Sequence, residues 1–306
     1  MPPPTNLATS AKLAPQLGFG CGRIFGGSET RQSARLVETA LRAGIRHFDT
    51  APSYGYGTSE ETLGEILRGI KDVTISTKYG LSAEYPSPSK RRAQQLYRQA
   101  VRPLLAHLPR LKQSLRSALS WRQRLPLSTE PPSIARAISK LEICDGVERS
   151  LNLLQRDRIE IFLLHEPDQF ILDSAAAQVL EEIQSLGKIA AFGLAYSRVN
   201  SPPPAFGSIV QCHFESSVTL PRRPEQRVVT HGVVGLQDPT FKFSPPRYGI
   251  EEFFRRGPSS VLLFSASSPH QINEVSAIFG EARAKYDARN SALLGTDAVD
   301  AENSPN

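Results

Sequence analysis

Apolar residues along this chain fall into two kinds of pattern. The first is a set of short, nearly continuous runs: Leu17–Gly20, Ile45–Phe48, Val73–Tyr79, Ile159–Leu164, Ile189–Ala195, Ile209–Phe214, Val228–Val234 and Val261–Phe264. Runs of this length, rich in β-branched and aromatic residues and bounded by Gly, Pro or polar positions, predict buried strands. The second kind recurs every three to four residues and predicts helices. Leu36, Val37, Ala40 and Leu41 mark one from about Glu29 to Ala43, stopped by Gly44. Ser59–Leu67 opens with a hydroxyl and two acids, a favourable start for a helix. Ser139–Gln155, with Leu141, Val147, Leu151 and Leu154 on one stripe, and Ser174–Leu186, stopped by Gly187, follow the same logic, as does a helix from Pro269 to about Ala284.

Eight strand candidates, most with a helix between them, imply a closed parallel (β/α)8 barrel, a TIM barrel in a single domain, and not an open doubly wound sheet. The barrel is expected to span residues 13–290, with a disordered tail at 1–12 and a flexible one at 291–306. The alternation is imperfect. Residues 197–208 are proline-rich where a helix is due, and 236–259 offer only a short helical candidate around Glu251 to Arg255.

A second interruption changes the picture of charge. Of the 306 residues, 36 are Lys or Arg and 30 are Asp or Glu, a formal net charge of +6, and ten of the basic residues lie between Pro86 and Thr129 without a single acid. Since a regular αβ connection takes only a few residues, the stretch at about 81–132 reads as a basic helical insertion after the third strand, one that could contact an anionic partner or nucleic acid. It carries no zinc signature, helix-turn-helix pattern or interleaved aromatics. The three cysteines, Cys21, Cys144 and Cys212, are far apart and lack ligand spacing, so neither a disulfide scaffold nor a metal is expected. No run is apolar enough to span a membrane, and a cytoplasmic protein is the expectation.

Candidate chemistry sits where a parallel barrel would gather it, at the strand C-termini. Asp49 ends the second strand, Tyr54 follows on a tight loop with Gly55 and Gly57, Lys78 ends the third strand and His165 the fourth. An ammonium beside a phenol stabilises the phenolate and is expected to lower the Tyr54 pKa, with Asp49 holding Lys78 in place. A neutral His165 would donate a hydrogen bond to a substrate oxygen, completing a proton-donating, oxyanion-type site.

Phe48-Asp49-Thr50-Ala51 with Tyr54-Gly55, the Glu60–Gly64 helix start, Ser76-Thr77-Lys78, Leu163-Leu164-His165 and the Gly193-Leu194 strand end together resemble the aldo/keto reductase superfamily over most of residues 13–285. The resemblance implies an oxidoreductase that passes hydride between a nicotinamide cofactor and a small carbonyl or alcohol substrate, such as an aldehyde, ketone or sugar lactol. It makes Tyr54 the general acid/base, Asp49 and Lys78 its tuning pair and His165 the orienting residue. It also places Gln211 against the cofactor carboxamide, His231 where many members have a stacking aromatic, and Ser265, Ser267, Ser268, Gln271 and Glu274 around the adenosine end. NADP(H) is expected ahead of NAD(H). Two departures are visible: Ala195-Tyr196 replaces a common Ser-Asn pair, and the basic residues often found at Ser265 or Ser267 and at Gln271 are absent. The alternative reading is a catalytically weakened barrel that acts as an interaction protein through its basic insertion.

Overall fold

Eight parallel strands close on themselves in chain order: β1 (Gln16–Gly20), β2 (His47–Asp49), β3 (Thr74–Tyr79), β4 (Ile159–His165), β5 (Ile189–Ala195), β6 (Ile209–His213), β7 (Arg227–His231) and β8 (Val261–Phe264), with β8 pairing back onto β1. This is the expected TIM barrel. The computed structural model describes residues 15–80 and 135–302 apart from 198, 200, 201, 222, 224 and 237–245. The tail expected at 1–12 and the basic insertion expected at about 81–132, with any partner it might take, lie outside the described residues.

Among the described residues the α-helices are α1 (Thr30–Arg42), α2 (Ser59–Ile66), α3 (Lys140–Leu154), α4 (Ser174–Ser185), α5 (Phe214–Thr219), α6 (Pro246–Arg255) and α7 (Pro269–Glu302). Their starts follow from local chemistry. Ser139 caps α3 by accepting from the Glu142 N–H while Glu142 reaches back, a reciprocal capping box, and Asp173 caps α4 through the Ala176 N–H. Among the described residues no helix is long and apolar enough to cross a membrane.

Several boundaries differ from the periodicity. Residues Ile45 and Arg46 are not in β2, because the Ile45 N–H still bonds Ala40 O as the chain turns out of α1 through Gly44. β7 stops at His231, where Gly232 takes a positive φ of 84° and turns the chain. Leu141 is exposed: the buried face of α3 is Ile143, Val147, Ser150, Leu151 and Leu154, a phase the Leu positions alone misassign. α6 is twice the length of the short candidate, and the backbone of α7 runs past Ala284 to Glu302 through a stretch free of proline.

Strand alternation decides what lies inside. Ile161, Leu163, Ala191, Ala195, Ile209, Val229, Val261 and Leu263 form one buried cluster, each from the inward row of its strand, while Phe48, Ile75, Phe162, Leu164, Val210 and Leu262 pack outward under the helices. β2 and β3 break this apolar lining. Their inward rows are His47 and Asp49, and Thr74, Ser76 and Lys78, all buried. The barrel interior therefore has an apolar side and a polar column.

Candidate active site

The polar column ends in an ion pair. The register sets Asp49 opposite Ser76, with Lys78 one inward position further along β3. Lys78 Nζ donates to Asp49 Oδ1 at 2.8 Å, to Asp49 Oδ2 at 2.7 Å and to Thr50 O at 2.9 Å, so all three ammonium protons have acceptors. Ser76 Oγ donates to Asp49 Oδ1 at 2.7 Å and Gln211 Nε2 approaches Oδ2 at 3.5 Å. Burial by itself would raise the Asp49 carboxyl, but the Lys78 ammonium and the Ser76 hydroxyl reverse this and hold it below its ordinary value. Burial likewise opposes the Lys78 charge, and the Asp49 carboxylate restores it and raises Lys78. Both members of the pair are ionised.

Tyr54 opens a short 3₁₀ turn, Tyr54–Tyr56, that is kinked at Gly55. Gly55 has a φ of +57°, and a β-carbon there would lie 2.0 Å from Ile24 O, so glycine is required twice over. Ser59 Oγ donates to Cys21 O at 3.0 Å, which directs the Thr50 hydroxyl onto Ser59 Oγ at 2.9 Å and ties the loop to the strand it leaves. Lys78 Nζ then stands 4.9 Å from the Tyr54 ring centroid, and the His165 ring lies edge-on at 6.5 Å. The Tyr54 phenol departs from the expected lowering. The Lys78 ammonium is the strongest influence on the Tyr54 phenol and lowers it, yet burial and the Asp49 carboxylate together outweigh it, and the net direction is upward. Burial and the Asp49 charge, which offsets much of what Lys78 would otherwise project, leave the Tyr54 phenol protonated.

His165 ends β4 on the inward row. Burial, followed by the Lys78 charge, lowers it to about 4, so its ring is neutral at physiological pH. Immediately after it Glu166 adopts a left-handed conformation, φ 50°, and its carboxylate accepts from the Ser197 N–H at 2.7 Å, linking the β4 and β5 loops. A bound, non-glycine left-handed residue next to a cavity is a typical place for strain to be held.

Asp49, Tyr54, Lys78 and His165 share one cavity of about 490 Å³ at the C-terminal mouth of the barrel, lined also by Ala195, Tyr196, Gln211, His231 and Ser265. Gln211 Oε1 is buried without a hydrogen-bond partner among the described residues, in a side chain whose residue is only 4% exposed. His231 donates from Nε2 towards Tyr196 O at 3.4 Å and stacks edge-on against His213. The remaining expected cofactor residues do not join this group. Ser267, Ser268, Gln271 and Glu274 lie off the cavity lining at the exposed start of α7, where Gln271 Oε1 accepts from the Ser267 N–H and hydroxyl and Ser268 Oγ accepts from the Gln271 N–H. Ser265 reaches the cavity and donates to Gly20 O at 2.8 Å across the β8–β1 seam. Sequence reasoning missed Ser76, Ser59 and His47, although the alternation 47, 49 and 74, 76, 78 already puts His47 and Ser76 on the rows that carry Asp49 and Lys78.

The aldo/keto reductase family profile matches residues 16–201. Aldo-keto reductase YhdN of Bacillus subtilis is 27% identical over 198 residues, 62% of this chain and 46% of that protein. D-threo-aldose 1-dehydrogenase of a Pseudomonas species is 30% identical over 196 residues, 61% of this chain and 52% of that protein. The chain thus spans about half the length of the curated relatives it matches. Among solved structures, the holo form of an aldo-keto reductase from Bacillus halodurans superposes with a TM-score of 0.59 at 18% identity, covering 92% of this chain and 94% of the other. An aldo-keto reductase from Klebsiella pneumoniae in complex with NADPH gives 0.57 at 16% identity over 90% of each chain. The matched segment holds the first five barrel strands and with them Asp49, Tyr54, Lys78 and His165, and the chain belongs to the aldo/keto reductase family.

Proposed function

We propose that this protein transfers hydride between a nicotinamide cofactor and the carbonyl carbon of a small aldehyde, ketone or sugar lactol, with Tyr54 as the general acid in reduction and the general base in oxidation. The observation that carries this reading is the convergence of Tyr54, the buried Lys78–Asp49 pair and a neutral His165 on one cavity whose wall also offers a buried acceptor, Gln211 Oε1, without a partner among the described residues.

That acceptor supports the fit of the cofactor. A buried amide oxygen without a donor is costly, and a carboxamide N–H₂ is a partner of the right kind. Gln211 and His231 would hold the nicotinamide end, and Ser265 with Ser267, Ser268, Gln271 and Glu274 the adenosine end. When bound, the nicotinamide supplies or accepts the hydride at the substrate carbon.

The chain's own residues handle the proton. In reduction the Tyr54 O–H passes its proton to the carbonyl oxygen as the C–O double bond becomes single, and the Lys78 ammonium stabilises the phenolate left behind. His165, neutral, donates an N–H to the same oxygen and fixes which carbonyl lone pair faces Tyr54. Asp49 takes no proton; it holds Lys78 over the Tyr54 ring. In oxidation the same transfers run backwards. NADP(H) is read as the cofactor ahead of NAD(H), and the relative named as an aldose dehydrogenase favours a hydroxylated carbonyl or lactol as substrate.

Fluorescence titration of wild type and Tyr54→Phe with NADPH and NADH, followed by aldehyde turnover, tests the reading. Binding by both proteins with turnover falling at least about 100-fold in Y54F is the expected outcome. Failure of wild type to bind either cofactor at near-millimolar concentration overturns it.

A further inference from the structure

The polar column of the barrel continues below Asp49, and its hydrogen bonds have one consistent direction. Asp49 is ionised and can only accept, so the proton on Ser76 Oγ is committed to Asp49 Oδ1 at 2.7 Å. His47 Nε2 lies 3.3 Å from the same Ser76 oxygen, which has no second proton to give, so His47 must be the donor there. A ring protonated on Nε2 and neutral presents Nδ1 as an acceptor, and Thr74 Oγ1 stands 2.9 Å from it. Thr74 Oγ1 also lies 3.3 Å from Arg46 O, and its single proton is given to the nearer His47 Nδ1 at 2.9 Å, so Thr74 donates to His47, His47 to Ser76, and Ser76 to Asp49. Burial lowers His47 to about 4, in keeping with a neutral ring. The opposite strand makes space for the ring: a β-carbon on Gly18 would come within 2.9 Å of His47 Cδ2.

We infer that Thr74, His47 and Ser76 form a directed hydrogen-bond chain inside the barrel that sets how much negative charge Asp49 presents to Lys78 and Tyr54, so that Ser76 and His47 are positioning residues of the proton-donating site. The inference rests on the reading of Tyr54 as that donor. Three consequences follow from the geometry. Ser76 withdraws charge from the carboxylate oxygen it shares with Lys78. His47 keeps the Ser76 hydroxyl from rotating away from Asp49. Thr74 selects the His47 tautomer that makes this possible. The groups facing Tyr54 are Lys78 and Asp49 from β3 and β2, His165 from β4 and the Cys21 thiol after β1; Cys21 is buried and its thiol is raised well above its usual range, so it stays neutral.

The sign of the effect is fixed. Without the Ser76 hydroxyl, Asp49 carries more unshared negative charge, which disfavours the Tyr54 phenolate. The test is NMR of protein labelled at tyrosine Cζ and histidine nitrogen, with Tyr54→Phe assigning the Tyr54 signal. The Tyr54 titration midpoint is expected to move upward in Ser76→Ala and, by less, in His47→Leu. His47→Gln, whose amide can replace the Nε2–H donor, is expected to restore the wild-type midpoint. The wild-type His47 ring is expected to carry its proton on Nε2 and to show no titration between pH 5 and 8. In steady-state assays S76A should lower kcat roughly tenfold with cofactor affinity unchanged, and shift the alkaline limb in the NMR direction. An unchanged Tyr54 midpoint in S76A, or a wild-type His47 protonated on Nδ1, overturns the inference. The NMR shifts appearing in a protein that binds neither NADPH nor NADH would overturn the proposed function and leave the hydrogen-bond chain standing.

Discussion

Lys78 and Asp49 form a bidentate ion pair, 2.8 and 2.7 Å to the two carboxylate oxygens, with 1% and 3% of their side chains exposed. A pair this deep draws little net stability from its attraction, because each ion has given up its hydration; its strength shows when one partner is taken away. Lys78→Met leaves an unpaired buried carboxylate and is expected to cost about 3–5 kcal/mol in urea denaturation, while the double variant Asp49→Asn/Lys78→Met regains much of that loss. A single-variant cost below about 1 kcal/mol would contradict the burial described.

Gln211 should separate stability from binding. Its Oε1, without a partner among the described residues, is a burden on the apo fold and, under the proposed function, an asset to a carboxamide ligand. Gln211→Met is expected to leave thermal stability unchanged or raised while weakening nicotinamide cofactor binding about tenfold or more, read by calorimetric titration alongside a melting curve. Equal affinity in the two proteins would remove Gln211 from the cofactor site.

At Gly55 the backbone itself limits substitution. An alanine at this position would combine a positive φ with a β-carbon 2.0 Å from Ile24 O, so Gly55→Ala must shift the Tyr54 turn or the segment after β1. The expected result is a loss of about 1–3 kcal/mol together with at least about a tenfold drop in turnover, whereas a glycine in open space such as Gly69 should tolerate alanine at a smaller cost.

Acid sensitivity follows from the buried histidines. The folded-state pKa of His47 is lowered to about 4, and that of His165 likewise, against an ordinary value near 6.5. The unfolded chain therefore binds more protons than the folded one across this window, so each ring's contribution to stability is complete above pH 6.5 and is lost as pH falls towards 4, on the order of 3 kcal/mol for fully buried His47. Asp49, held below its ordinary value, loses its contribution at lower pH still, while buried Glu60, which is raised, acts in the opposite sense as it protonates. Urea midpoints measured at pH 7, 5.5 and 4.5 should show a shallower decline in His47→Gln than in wild type; parallel slopes would mean that His47 takes up its proton equally in the folded and unfolded chains.

Much of the barrel is legible without coordinates because it rests on local order. A strand buried on both faces has to be apolar along its length, and a helix covering it has to be apolar on one stripe, so Ile159–His165, Ile189–Ala195 and Val261–Phe264 declare themselves, as do the helices beginning after Ser139 and Asp173. Asp49, Lys78 and His165 are equally visible, as ionisable residues at the ends of such runs. The errors have local causes too: Leu141 is apolar but off the stripe, and Ile45 is β-branched but spent on the turn out of α1.

By itself, the sequence determined the alternation of strands and helices, the closure it implies and the strand ends that carry ionisable groups, since period and punctuation are properties of neighbours along the chain. Tertiary structure alone decided what those groups are worth. It set the net upward direction of Tyr54, where burial and Asp49 together outweigh Lys78, and it directed the hydrogen bonds from Thr74 through His47 and Ser76 to Asp49. Charge, burial and hydrogen-bond direction act here through space between residues 27 to 29 positions apart, at distances that only the closed barrel defines.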